Sequence, residues 1–215
     1  MVDDHHILYR SGTVRKLKPL KRFSDKPVIA ADKLWETTVA YCSVYKNPES
    51  GKYQLWYQAF SDDRAQERTH RCVVCYAESE DGIHFHKPNL GLFSYNGIDD
   101  TNIVLIGRGG FSDRYANSVI VAPQDPDPQR RYKMAYYDFE DSAGVERPGV
   151  CIAFSPDGIH WTKPKLGLVE HGGANDNNII LEGDHLTHNF VPFVDGNPKA
   201  PYGYRGIGRG HGDQI

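Results

Sequence analysis

Ser79-Glu80-Asp81-Gly82-Ile83-His84-Phe85 returns as Ser155-Pro156-Asp157-Gly158-Ile159-His160-Trp161, displaced from 79 to 155, a shift of 76 residues. The same displacement carries Lys87-Pro88-Asn89-Leu90-Gly91-Leu92 onto Lys163-Pro164-Lys165-Leu166-Gly167-Leu168, and Asn102-Ile103-Val104-Leu105 onto Asn178-Ile179-Ile180-Leu181. The register holds across all three segments without a gap. A unit repeated at fixed spacing buries its apolar face on its neighbours, so the sequence predicts a ring or an array.

Upstream the match continues with small gaps. Tyr53-Gln54-Leu55-Trp56-Tyr57 corresponds to Tyr132-Lys133-Met134-Ala135-Tyr136, and Tyr41-Cys42-Ser43-Val44 to Asn117-Ser118-Val119-Ile120. A third unit begins with His188-Asn189-Phe190-Val191-Pro192-Phe193, which follows Ala116-Asn117-Ser118-Val119-Ile120-Val121, and with Tyr204-Arg205-Gly206-Ile207, which follows Tyr132-Lys133-Met134-Ala135. The third unit is about half written where the sequence ends at Ile215.

Each unit reads as four short strands. In the second unit they are expected near Ser118–Ala122, Tyr132–Phe139, Gly149–Ser155 and Ile159–Lys163. These runs are rich in β-branched and aromatic residues and are bounded by Pro, Gly, Asp or Asn. Asp81-Gly82 and Asp157-Gly158 are expected to form two-residue hairpins of type I′. No stretch carries a helical apolar period. Four antiparallel strands per unit in an all-β chain is the pattern of a β-propeller blade. The units exceed the roughly 40–45 residues of a WD40 blade, and the surplus falls in Pro88–Thr101 and Pro164–Asn177. The predicted architecture is one partial propeller domain spanning 1–215. Its parts are a lead-in over 1–35, a first blade over 36–106, a second over 107–182 and a partial third over 183–215. Closing a ring of five such blades takes about 350 or more residues, so further C-terminal blades are expected in the natural protein.

Composition narrows the function. The 215 residues are 39% hydrophobic and 12% aromatic, with 21 Gly and 13 Pro, a globular and turn-rich profile. A net charge of −3 gives no electrostatic case for nucleic acid or an anionic membrane. No apolar run approaches the ~20 residues of a membrane span. The start, Met1-Val2-Asp3-Asp4-His5-His6, has no apolar leader core, so the chain as it stands reads as cytoplasmic, or as extracytoplasmic should a leader precede it. Cys72 and Cys75 lie three apart on an apparent strand, point to opposite faces and cannot share an ion. Cys75 and Cys151 correspond across the repeat, as structural thiols do. No metal site and no cofactor are expected.

Trp35-Glu36, Tyr53-Gln54-Leu55-Trp56-Tyr57, the run Cys75 to Phe85, Lys87-Pro88-Asn89-Leu90-Gly91-Leu92 and Asn102-Ile103-Val104-Leu105 resemble the five-bladed propellers related to glycoside hydrolase families 32 and 43. Many of these are uncharacterised proteins with family 32 N-terminal-like domains. The resemblance covers nearly the whole chain and implies a carbohydrate ligand in the central channel. It does not carry the catalytic residues over. Nothing matches the family 32 Trp-x-Asn-Asp-Pro-Asn-Gly segment, and Trp35-Glu36-Thr37-Thr38 stands nearest in order. The Arg-Asp-Pro segment is absent too, with Ser112-Asp113-Arg114-Tyr115 carrying the same charges reversed.

The first strand of each blade lines the channel, so a site is expected where those strands begin. Repeated residues hold the scaffold, and unrepeated polar ones are free for chemistry. Glycoside hydrolysis needs two carboxylates about 5–5.5 Å apart for retention or about 6.5–9.5 Å for inversion. Glu36 and Asp113, from adjacent blades, are the candidate catalytic pair. Arg114, Asn117, His188 and Asn189 are the candidate substrate contacts, with Arg114 keeping carboxylates ionised and His188 sharing protons near neutral pH. Two functions stay open: a glycosidase-like enzyme, and a non-catalytic propeller that binds carbohydrate or serves as an interaction scaffold. In the second, Glu36 is a surface residue and Asp113 caps a turn.

Overall fold

A computed structural model describes residues 8–9, 11–12, 14, 16–61, 72–107, 115–142, 145–183, 189–199 and 203–208. Among these the fold is all-β, with a single 3-10 turn at Pro128–Arg130. No helix among them is long and apolar enough to cross a membrane.

The chain folds as successive antiparallel sheets of the propeller type. The first holds β1 (Thr38–Lys46), β2 (Tyr53–Phe60), β3 (Cys72–Ser79) and β4 (Ile103–Leu105), hydrogen-bonded in that order. The second repeats the order with β5 (Tyr115–Val121), β6 (Tyr132–Ser142), β7 (Val145–Ser155) and β8 (Ile179–Glu182). A third, two-stranded sheet pairs β9 (Val191–Val194) with β10 (Tyr204–Ile207). Irregularities recur with the strands. The β3–β4 ladder shifts between Val74 and Cys75, and β7–β8 between Val150 and Cys151. The first strand of each large sheet also bulges, between Ala40 and Ser43 and between Tyr115 and Ser118. Tyr41 takes the strain of its bulge at φ 50.

The first strands lie side by side, with β1 against β5 and β5 against β9. The Val119 amide donates to Ser43 Oγ at 3.1 Å across the first of these junctions. β2 is buried on both faces, so its run Tyr53-Gln54-Leu55-Trp56-Tyr57 reads as continuous rather than alternating. One face builds a cluster of Trp35, Leu55, Tyr57, Cys75 and Ile103 under the lead-in. The other packs Trp56, Val74 and Tyr76 against Tyr132, Met134, Tyr136 and Cys151 of the second sheet. Cys75 and Cys151 thus occupy matching buried slots on the leading faces of their sheets.

Two expectations need correction. The fourth strand is not Ile159–Lys163, which makes only the isolated bridge Phe154–Thr162. It is Ile179–Glu182, reached after the long loop. A segment that pairs with its own hairpin partner at one point has too few ladder bonds to become a strand. The Asp-Gly turns are not type I′ either. Gly82 and Gly158 have φ 75 and 82, but neither Asp81 nor Asp157 is among the positive-φ residues, as type I′ requires. The side chains build these turns instead. Ser79 Oγ accepts the Asp81 and Gly82 amides at 3.2 and 2.9 Å. Asp81 Oδ1 accepts the Ile83 and His84 amides, both at 2.8 Å, and Oδ2 meets His84 Nδ1 at 2.7 Å. Ser155, Asp157 and His160 repeat every one of these contacts. This is the local side-chain capping that Ser and Asp offer in turns.

The backbone and ring donors of His84, with the Ile83 amide, hold the Asp81 carboxyl well below its ordinary range. Burial pushes Asp157 up, yet the His160 and Ile159 bonds outweigh it and leave this carboxyl lowered as well. A depressed folded-state pKa contributes stability that is present above the unfolded value near ~4 and lost as pH falls through the folded value. The double substitution Asp81→Asn/Asp157→Asn should therefore flatten the loss of stability below pH ~4, measured as urea midpoints between pH 2 and 6. A second prediction separates the two glycines. A Cβ on Gly158 would sit 2.5 Å from Trp56 Cζ2, whereas one on Gly82 meets the Tyr53 ring at 3.2 Å. Gly158→Ala should cost about 2–4 kcal/mol and Gly82→Ala about 1–2 kcal/mol by chemical denaturation.

Candidate functional site

One rim of the sheets gathers the starts of β1, β5 and β9 with the ends of β2 and β6. Of the expected site residues, Glu36, Asn117 and Asn189 are described there. Asp113, Arg114 and His188 lie outside the described residues.

Glu36 is not a surface residue. Its side chain has no exposed area. Oε1 accepts from the Tyr57 hydroxyl at 2.6 Å. Oε2 accepts from the Asp32 and Lys33 amides at 3.0 and 3.2 Å and from Lys87 Nζ at 2.5 Å. Both carboxylate oxygens are thus bound, Oε2 by three donors and Oε1 by one. Lys87 Nζ also donates to the Ala30 carbonyl at 2.6 Å and to Asp32 Oδ1 at 2.7 Å. The Lys87 hydrogen bond is the main cause of the lowered Asp32 carboxyl. Asn102 Nδ2 donates to the Tyr57 hydroxyl and to the Tyr76 carbonyl, each at 2.7 Å, and Asn102 Oδ1 accepts from Trp35 Nε1 at 3.2 Å. Burial, reinforced by the neighbouring Cys75 and Glu36, pushes the Tyr57 phenol far up, so it stays a neutral donor. The network latches the Ile29–Glu36 lead-in onto the first sheet.

Half of this network is repeated. Asn178 Nδ2 donates to the Tyr136 hydroxyl at 2.9 Å and to the Ile152 carbonyl at 2.7 Å. Lys163 Nζ donates to the Ile106 carbonyl at 2.6 Å, as Lys87 does to Ala30. Sequence reasoning missed this role for Lys87, Tyr57 and Asn102. The signal was available: each has a counterpart in the next unit, and a repeated polar residue implies a repeated buried partner.

Asn117 behaves differently. It sits at the β5 bulge, only 4% exposed, and neither its Oδ1 nor its Nδ2 has a hydrogen-bond partner among the described residues. Gln58, 1% exposed near the end of β2, donates Nε2 to the Val73 carbonyl but leaves Oε1 unpartnered. Asp138 lies within β6 and is fully buried; the strand runs past the expected Phe139 because β7 pairs with it as far as Ser142–Val145. Asn189 is exposed at φ 56, a left-handed conformation that asparagine tolerates. Among the described residues no hydrogen bond joins Glu36, Asn117 and Asn189, and no cluster of His, Cys, Asp and Glu could hold a metal ion.

No family model matches the chain, and no curated protein matches it. Among solved structures, a fructofuranosidase from Schwanniomyces occidentalis complexed with fructosylnystose is 15% identical, with a TM-score of 0.46 over 71% of this chain and 26% of its own. A glycosyl hydrolase from Bacteroides ovatus is 20% identical, with a TM-score of 0.37 over 60% and 32%. An N-acetylgalactosamine deacetylase from F. plautii in complex with blood group B trisaccharide is 12% identical, with a TM-score of 0.39 over 72% and 40%. The chain thus spans less than half the length of each. These are similarities of strand arrangement; residue roles rest on the geometry above.

Replacing Glu36 by Gln strips the charge from a buried partner of Lys87, itself 7% exposed. Breaking such a pair from one side should cost about 3 kcal/mol, read as a lowered urea midpoint. A change under about 1 kcal/mol, the scale of a surface pair, would show that Glu36 does not latch the lead-in.

Proposed function

We propose that this protein binds a carbohydrate at the rim where β1, β5 and β9 begin. Asn117 carries the reading. A buried amide with no partner costs about 1–3 kcal/mol, and natural folds rarely leave one without a use. Its Oδ1 accepts and its Nδ2 donates, the pair of contacts that a sugar hydroxyl, itself donor and acceptor, satisfies. Gln58 Oε1, also buried and unpartnered, adds a second acceptor on the same end of the sheets. Asp113, Arg114 and His188 precede β5 and β9 in the sequence and are the charged residues we assign to this rim.

Binding is favoured over hydrolysis by the state of Glu36. A catalytic carboxylate must reach the glycosidic oxygen, a water or the anomeric carbon. Glu36 has no exposed side-chain area and is held by four donors, so none of these reaches it and it serves the scaffold in this reading.

An oligosaccharide array followed by titration calorimetry tests the proposal on the full chain. Asn117→Ala should weaken the best sugar about tenfold, the loss of one to two hydrogen bonds, without lowering the melting temperature. Chromogenic glycosides should stay intact. Turnover that Asp113→Asn abolishes would reinstate the enzyme, and the absence of any sugar binding would remove the reading altogether.

A further inference from the structure

The opposite rim holds a cavity of about 300 Å³ in the seam between the first two sheets, at the small end of the range for ligand pockets, about 300–1,000 Å³. It lies where β1, β5 and β7 end and β2 and β6 begin. From Asn117 it is four residues down β5 to Val121 in its wall, about 13 Å at strand rise, so the pocket is separate from the rim discussed above.

Its lining combines two phenol rings, Tyr45 and Tyr132, with Gln54, Arg131, Asp157 and Glu49. The rings stand edge to face with centroids 6.5 Å apart. The wall is rigid. Tyr132 donates its hydroxyl to Gln54 Oε1 at 2.9 Å, and Gln54 Nε2 reaches the Tyr76 hydroxyl and the Asp157 carbonyl, both at 3.3 Å. Buried polar groups that are fully partnered keep their positions, which is how a site is preorganised.

The polar lining is not part of the repeated scaffold. In the next unit Tyr45 corresponds to Val121, Asn47 to Pro123 and Gln54 to Lys133. Lys133 is consumed by Asp125 and the Arg130 carbonyl, each at 2.5 Å. The cleft there, between the second sheet and β9–β10, is predominantly apolar, lined by Ile120, Ile152 and Phe190 among others. Thus Tyr45 and Gln54 at one seam are replaced by Val121 and Lys133 at the other, whose cleft keeps Tyr204, Arg130 and Arg205 in a mainly apolar wall.

We propose that this seam pocket is a second carbohydrate site, sized for one monosaccharide unit. The Tyr45 ring suits the C–H face of a sugar ring, with Tyr132 fixed edge-on beside it, and Arg131 and Glu49 line the hydroxyl edge. The sugar class rests on the carbohydrate reading above, whereas the pocket and its asymmetry do not.

The test is saturation-transfer NMR on the full chain with D-glucose, D-galactose, D-fructose and N-acetyl-D-galactosamine as probes, followed by calorimetric titration. At least one probe should bind. Tyr45→Val, which installs the residue of the next unit, should weaken it about tenfold, and Arg131→Ala, an exposed change that cannot unfold the seam, should weaken it too. Asn117→Ala should leave that binding unchanged. If no probe binds, or if binding survives both Tyr45→Val and Arg131→Ala, the pocket is not a sugar site. If binding is lost in Asn117→Ala alone, the second site fails while the channel-rim reading stands. If an oligosaccharide array is blank but a monosaccharide binds in the Tyr45-dependent way, the seam site stands and the rim reading fails.

Discussion

The seam between the first two sheets depends on one contact, the close approach of Trp56 to Gly158. Trp56 is fully buried, and its Nε1 donates to the Gly158 carbonyl at 2.6 Å. Its ring lies 5.9 Å from Tyr76, 5.8 Å from Tyr132 and 6.5 Å from Trp161, in the tilted and edge arrangements that aromatic quadrupoles prefer. Gly158 meets two demands at once. Its φ of 82 excludes β-branched side chains, and the space a Cβ would need is occupied by the indole. The Ser155–Asp157–His160 capping that shapes the turn is therefore a requirement of the seam and not a local ornament. Gly82 in the first unit, at φ 75, meets only Tyr53, the counterpart of Tyr132, and among the described residues nothing there takes the place that Trp56 of the preceding sheet takes at Gly158.

Charge in this protein is divided between scaffold and surface. Glu36 and Lys87 form a desolvated pair, with the exposed Asp32 at its edge, whose gain over an apolar core is small but whose disruption from one side is costly. Its consequence is placement: the lead-in is held over Tyr57 and Trp35, so the leading face of the first sheet is buried. The second sheet achieves the same burial with Trp56 and Tyr76 of the first. Equivalent faces are thus covered by different means, which is how one sequence pattern serves both an initial and an internal unit.

The two rims then differ in chemistry. At the strand-start rim, Asn117 and Gln58 keep unpartnered amide atoms under cover. At the other, Gln54, Tyr132 and Tyr76 satisfy one another and present a finished wall. Burial pushes the Tyr76 phenol up to about 12, which keeps this wall neutral across the physiological range. The first arrangement leaves amide atoms without partners among the described residues, and the second satisfies its polar groups internally.

The sequence by itself determined the all-β class, the four-strand unit and the turn at each Asp-Gly pair. Those features follow from local periodicity, turn chemistry and the displacement of like residues along the chain, all of which are visible in one dimension. It also marked Cys75 and Cys151 as matching buried thiols, since the 76-residue repeat gives them the same position in successive units. The tertiary structure alone decided the rest. The fourth strand lies beyond the long loop because ladder pairing with β3 and β7, not propensity, selects the edge. Glu36 became a buried acceptor through Lys87 and Tyr57, which are 51 and 21 residues away in the chain. β6 runs past the expected Phe139 to Ser142 because β7 pairs with it that far. The seam pocket needed two sheets to meet before Tyr45 and Tyr132 could face each other. In each case the deciding partner is remote in sequence, and no local pattern encodes the distance at which it will stand.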